Sequence, residues 1–390
     1  MNFGRNIPQK KLLIITLVLV IQQFFVFFIQ KSLPPVHYDP HNIFFLELVS
    51  IPKSIPSSLL FILNAGNLIL IWLISIKISK GGLHFAAPLI YAISPWGAYL
   101  AISQSFYIYI LFLILTSFLG LILMQANNKL GYILSISAII LLIYSQIFFL
   151  IFPLLLVLLA KLKIVNLNIS RFLIIVFALL VPLIFLIIAN PSASKNILNY
   201  EVGLFSDPGL QNTVNVFQGS AKMAGFDPLA KLSENRYLYL LEFASLKICK
   251  YFVPSTYFTS QEKLLNFSFS PPLYFGFLIP FAWGLWNLAK ISLSRKILIF
   301  SSLLVIPAFL SKQLVDLNRL IIFYPILILI TSYGLIQLNK HKKEKMDCLF
   351  LILALLLVIF QFLVTISDIN LREKERFDRY LGQNFELGKQ

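Results

Sequence analysis

Apolar residues in this chain do not alternate with polar ones; they come in runs. Stretches of 14 to 19 residues with few charges recur along its length; most are about long enough to cross a hydrocarbon layer roughly 30 Å thick as a helix, and the 14-residue ones are short for a full crossing. The runs fall at Leu12 to Ile29, Ser58 to Ile76, His84 to Ile102, Phe106 to Met124, Gly131 to Tyr144, Ile147 to Ala160, Phe172 to Ile188, Pro272 to Leu288, Ile297 to Leu310, Leu320 to Leu338 and Cys348 to Ile366. Backbone polar groups in lipid are satisfied only inside helices or closed barrels, and long unbroken runs predict helices. The expected fold is therefore all-α and polytopic, with about eleven transmembrane helices. The first run follows a basic stub (Arg5, Lys10, Lys11) and no small-residue cleavage pattern comes after it, so it reads as a retained helix with a cytoplasmic N-terminus.

One run needs a decision. Gly131 to Ala160 is either one long tilted helix or two short ones turning at Tyr144, Ser145 and Gln146. With a turn, one side of the membrane collects Arg5, Lys10, Lys11, Lys77, Lys80, Lys129, Lys161, Lys163, Arg171, Lys290, Arg295, Lys296, Lys340, Lys342, Lys343 and Lys345; the short loops opposite hold Lys31, Lys53, Lys312 and Arg319. Sixteen against four obeys the positive-inside rule. A single helix would invert everything after it, so the hairpin is expected, and the C-terminal tail then lies outside.

Composition agrees: 58% of the residues are hydrophobic, 12% are charged, and mean hydropathy is +0.85, beyond what a soluble domain of this length shows. The net charge of +16 is accounted for largely by topology, without a nucleic-acid partner. Membrane lipids are the expected surroundings. Cys249 and Cys348 fall on opposite sides in this topology, so no intrachain disulfide is expected. Usage rich in Phe, Ile, Lys and Asn fits an AT-rich bacterial genome and a multi-pass protein of the cell membrane. The chain divides into residues 1–189, a transmembrane core with a first outer loop at 31–57; an outer loop subdomain at 190–270; C-terminal transmembrane helices at 271–366; and a charged outer tail at 367–390.

Four chemically distinctive stretches then share the outer side. In "HYDPHNIFFLELV", Asp39 lies in a proline-bounded loop between His37 and His41, and Glu47 is the nearest other acid. Asp-Pro is also an ordinary turn dipeptide. Imidazole and carboxylate are ligand types that divalent metals take, which leaves a metal at His37, Asp39 and His41 open. Three ligands within five residues of a loop is poor geometry, however, and the histidines suit hydrogen bonds to lipid head groups or a substrate phosphate better. In "AISPWGAYLAISQSFYIYILFLIL", a helix bearing Ser94, Pro95 and Trp96 turns at Ser103, Gln104 and Ser105 toward Tyr107. The loop 190–270 holds many of the acids, and its piece "DPLAKLSENRYLYLLEFASLKICKYF" has helical apolar spacing at Leu238, Leu241, Ala244, Ile248 and Phe252, predicting a helix that lies on the membrane or covers a cleft. Asn235 and Arg236 in that piece are candidate acceptor-contacting residues. The fourth stretch, "LSKQLVDLNRLIIFYPILILITSYGL", gathers Lys312, Asp316 and Arg319 where a helix enters the membrane. An arginine there is either a snorkelling anchor or a two-pronged phosphate ligand.

The order of these features resembles the GT-C superfamily of membrane glycosyltransferases, the group that includes protein O-mannosyltransferases and aminoarabinose transferases. The resemblance runs from Met1 to about Leu338. It rests on Asp39 in the first outer loop; Pro95, Trp96, Gln104 and Tyr107 in a later turn; the large loop from Asn190; and Arg319, Tyr324 and Pro325 near the C-terminus. It implies transfer of a sugar from a polyprenyl-phosphate-linked donor to an acceptor on the outer face. Asp39 would be the general base, with Glu47 its only nearby substitute. Arg319 and Lys312 would hold the donor phosphate, with Gln104, Tyr107, His37 and Tyr324 around it. No nucleotide-binding loop is needed, and none is present.

Two departures from the family pattern shape the alternatives. Asp-Pro stands where relatives often carry two adjacent acids, and Gln104 where many carry arginine. A degenerate member that binds a lipid-linked sugar without transferring it is one alternative; a transporter of a lipid-linked glycan is the other. Transporters tend to place ionisable residues at mid-membrane, whereas these spans are almost free of them.

Overall fold

The computed structural model describes residues 16–18, 20, 22, 57–78, 83–102, 107–125, 128–145, 147–150, 152–154, 157, 160, 169–189, 191, 208–225, 236–258, 272–291, 298, 303–309, 319–340 and 345–371. Among these the protein is all-helical, with no strand. In chain order the helices are α1 (Ser57–Ile78), α2 (Leu83–Ile93), α3 (Pro95–Ile102), α4 (Tyr107–Gln125), α5 (Lys129–Ser145), α6 (Ile169–Ala189), α7 (Pro208–Met223), α8 (Arg236–Phe252), α9 (Ser255–Phe258), α10 (Leu278–Lys290), α11 (Ile306–Phe309), α12 (Tyr324–Lys340) and α13 (Lys345–Leu371). Short 3₁₀ turns stand at Ile147–Leu150, Phe275–Phe277, Leu303–Val305 and Arg319–Ile322.

Among the described residues two helices, over Phe61–Ile78 and Tyr107–Met124, are long and apolar enough to cross a membrane. Shorter apolar helices cover Lys129–Ser145, Val176–Ala189, Tyr324–Asn339 and Leu349–Leu363. Apolar side chains also face outward: Ile62 on α1, Phe177 and Phe185 on α6, Trp286 on α10, and Leu356 and Phe360 on α13 are all exposed.

The helices meet through small residues, which let backbones approach closely. At the crossing of α4 and α5, a Cβ on Gly120 would stand 2.6 Å from the backbone nitrogen of Ser135, and one on Gly131 would stand 2.5 Å from that of Met124. At the crossing of α10 and α12, a Cβ on Gly334 would fall 1.7 Å from the Pro280 carbonyl oxygen. A side chain at either crossing would force the helices apart.

Charge pattern predicts a turn at Tyr144 to Gln146, and the structure agrees. Helix α5 ends at Ser145, and Phe152 beyond it lies 6.4 Å, ring to ring, from Phe118 in the half of α4 that pairs with the first half of α5. A chain running straight on would carry Phe152 past the far end of α4, so it has turned back.

Two expected spans differ in form. The run His84 to Ile102 is broken at Ser94 into α2 and α3, because Pro95 has no N–H to continue the ladder. Of the run Ile297 to Leu310, Leu298 and residues 303–309 are described, and the latter form a 3₁₀ turn followed by the short α11. The loop 190–270 is helical where described, at α7, α8 and α9.

Candidate functional site

The break at Ser94 builds the site. Ser94 caps α3: its Oγ accepts the Gly97 N–H at 3.2 Å, the third residue of the new helix, while Pro95 occupies the first position, where its missing N–H costs nothing. Gly97 has no alternative, because a Cβ there would sit 2.1 Å from the Tyr91 carbonyl oxygen. The same Ser94 hydroxyl donates to the Tyr91 carbonyl at 2.8 Å. It meets a further partner from far along the chain, the Tyr324 hydroxyl, in a very short hydrogen bond. With its one proton committed to the carbonyl, Ser94 accepts there and Tyr324 donates.

Tyr324 opens α12 and is fully buried. Its ring lies 5.3 Å from that of Trp96 and 6.1 Å from that of Tyr91. Pro325 follows in the first turn of α12, a position proline tolerates. The turn bearing Pro95 and Trp96 and the stretch Arg319–Tyr324–Pro325 therefore converge in one packed cluster.

Arg319 begins the 3₁₀ turn that leads into α12 and is 3% exposed. A snorkelling anchor would keep its head in water, so burial argues against that role. The turn packs against α4, whose first residue, Tyr107, is also buried. From the loop region, α8 and α9 close over the same end. The Tyr251 hydroxyl donates to the Ala308 carbonyl of α11 at 2.8 Å, and the Tyr257 ring lies 5.7 Å from Phe323. Burial and the neighbouring Tyr251 push the Tyr257 phenol above its ordinary pKa, and its O–H donates to the Tyr251 carbonyl at 2.7 Å. Lys247 is wholly buried on α8, its ammonium 5.5 Å from the Phe243 ring and 5.9 Å from the Phe309 ring of α11. Two buried basic residues thus belong to elements that adjoin through α11.

Beside Tyr91 lies a knot of amides. The Tyr91 hydroxyl donates to Asn64 Oδ1 at 2.7 Å, Gln22 Nε2 donates to the same oxygen at 3.3 Å, and Asn67 Nδ2 donates to the Ile108 carbonyl at 3.2 Å. Gln22 Oε1, Asn64 Nδ2 and Asn67 Oδ1 are buried with no hydrogen-bond partner among the described residues. Two acceptors and one donor so placed can engage a small polar group such as a hydroxyl or a water.

Among the residues singled out from sequence, Trp96, Tyr107, Arg319 and Tyr324 are described, and Tyr324 directly joins Trp96. His37, Asp39, His41, Glu47, Gln104, Asn235 and Lys312 lie outside the described residues; Arg236 opens α8, its side chain likewise outside. Sequence reasoning missed Tyr91, Asn64, Asn67, Gln22 and Lys247. The signal available was two asparagines one turn apart in an otherwise apolar helix. Cys249 is free and exposed on α8.

Neither the family models nor the curated proteins provide a match to this chain.

Proposed function

We propose that the protein is a multi-pass membrane glycosyltransferase of GT-C type, moving a sugar from a polyprenyl-phosphate-linked donor to an acceptor on the extracytoplasmic face. The observation that carries this reading is the convergence of Trp96 and Ser94 with Tyr324, next to buried Arg319: two stretches singled out independently along the sequence meet in space. Exposed apolar flanks, small-residue crossings and the basic bias of one set of loops support about eleven spans, a cytoplasmic N-terminus and an outer C-terminus.

In the proposed reaction an acceptor hydroxyl oxygen attacks the anomeric carbon, the bond from that carbon to the phosphate oxygen breaks, and polyprenyl phosphate departs with the bond's electrons. Asp39 takes the hydroxyl proton, with Glu47 its substitute. Arg319, aided by Lys312, holds the phosphate and offsets the charge it gains. Gln104, Tyr107 and His37 complete the donor site, and Asn235 and Arg236 meet the acceptor.

The test is transfer of radiolabelled sugar from polyprenyl-phosphate donors by membranes expressing the wild type or Asp39→Asn, with and without a chelator. Transfer by the wild type that Asp39→Asn loses at equal expression supports the reading; loss on chelation assigns a divalent metal. Donor binding without transfer identifies the degenerate alternative, which the Asp-Pro sequence and Gln104 favour. Movement of donor between leaflets without transfer identifies a transporter.

A further inference from the structure

Helix α8 has two apolar faces, and among the described residues only one packs against the bundle end. Lys247 and Tyr251 are buried, and Leu240 and Phe243 half-buried, against the bundle end at α11. On another side Tyr237, Leu238, Leu241, Ile248 and Phe252 stand exposed, Leu241 at 64% and Phe252 at 62%. At about 100° per residue these five fall within roughly 120° of arc, so they form one strip. Val253, which follows the helix, is exposed as well. On α7, which joins α8 through the stacked rings of Phe217 and Tyr239 at 5.7 Å, Val216 and Met223 are exposed too. An apolar surface this continuous is uncommon where a protein faces water.

We propose that this strip of α8 rests in the interfacial layer of a lipid bilayer, so that the loop subdomain lies on the membrane surface beside the site it covers. The side chains of the strip are apolar or aromatic, as a lipid surface requires, with Glu242 the acid at the rim. Tyr237 is an aromatic of the kind that settles at head-group level. The same chain exposes apolar side chains on α6 and α13. Lipid covers all these surfaces at once, whereas a second copy would have to cover each separately. The inference rests on the membrane placement of the chain and is independent of sugar transfer.

Cys249, exposed at the edge of the strip, supplies the probe. The full chain carrying Cys348→Ser is labelled at Cys249 with a polarity-sensitive fluorophore and reconstituted into phosphatidylcholine–phosphatidylglycerol vesicles. A control carries the label at Leu356→Cys on α13 in a background lacking both native cysteines. The expected result at Cys249 is blue-shifted emission, most of it lost to lipids bearing a nitroxide near the head group and little lost to aqueous iodide. Lipid quenching at position 356 with iodide quenching alone at Cys249 overturns the inference and leaves the membrane placement standing. Lipid quenching at neither position overturns both. Protection of Cys249 from both quenchers, or crosslinking between Cys249 residues of two copies, overturns the inference in favour of a protein partner.

Discussion

The hydroxyls of Ser94 and Tyr324, 230 residues apart, meet in a very short hydrogen bond inside the helical bundle. Ser94 is at once the cap of α3, the donor to its own preceding turn and the acceptor for the first residue of α12. The break in one helix is thereby tied to the start of another, with Trp96 and Tyr91 packed on the same ring.

That arrangement predicts unequal costs. Tyr324→Phe removes one hydrogen bond, about 1 kcal/mol. Ser94→Ala removes the same bond and also a helix cap, itself worth about 1 kcal/mol, and strands a buried phenol. Thermal unfolding in detergent should rank Ser94→Ala below Tyr324→Phe, and the double variant should lose less than the sum of the two. Strict additivity would show that the hydroxyls do not interact.

Glycines at crossings should behave unlike glycines on open surface. Gly334→Ala places a Cβ against the Pro280 carbonyl and should cost about 1–3 kcal/mol or more, because backbone rather than a movable side chain must shift. Gly219→Ala on α7 meets nothing within 4 Å and should be neutral or stabilising by up to about 1 kcal/mol, since helical glycine is entropically costly. The two melting points, compared with wild type, decide it.

Asn64 takes two donors on one oxygen. Asn64→Leu should therefore destabilise more than Tyr91→Phe, for it strands the Tyr91 hydroxyl and the Gln22 amide together, whereas Tyr91→Phe removes a single bond. The difference should be about 1–3 kcal/mol by thermal or denaturant unfolding. Equal losses would mean that stranding the Tyr91 hydroxyl and the Gln22 amide costs nothing.

Much of the helical fold is legible in the sequence because lipid-length apolar runs have one structural solution. The limits are equally physical. The run His84 to Ile102 reads as continuous because both sides of Ser94 are apolar, although Ser-Pro already encodes a cap and a break. On α8 the spacing of Leu238, Leu241, Ala244, Ile248 and Phe252 marks a helix, yet the buried side chains are Lys247 and Tyr251. A helix apolar on two arcs does not declare by period which arc packs, and no hydrophobicity pattern places a lysine inside. Trp96, Arg319 and Tyr324 stand out in the sequence through the motifs they sit in. The amides at Asn64 and Asn67 look incidental until Tyr91 and Gln22 are brought to them from other parts of the chain.

The most direct measurement is binding of polyprenyl phosphate, the moiety every such donor shares, to the full chain in lipid nanodiscs. Wild type, Arg319→Lys, Arg319→Ala and a Lys290→Ala control are compared, with melting points recorded alongside. The account predicts saturable binding to wild type, unchanged in Lys290→Ala and weakened in Arg319→Lys. Arg319→Ala should weaken it by about tenfold or more, since losing a charged hydrogen-bond partner costs about 1.5–3 kcal/mol. Absence of saturable binding to wild type, or equal affinity in a folded Arg319→Ala, would contradict it.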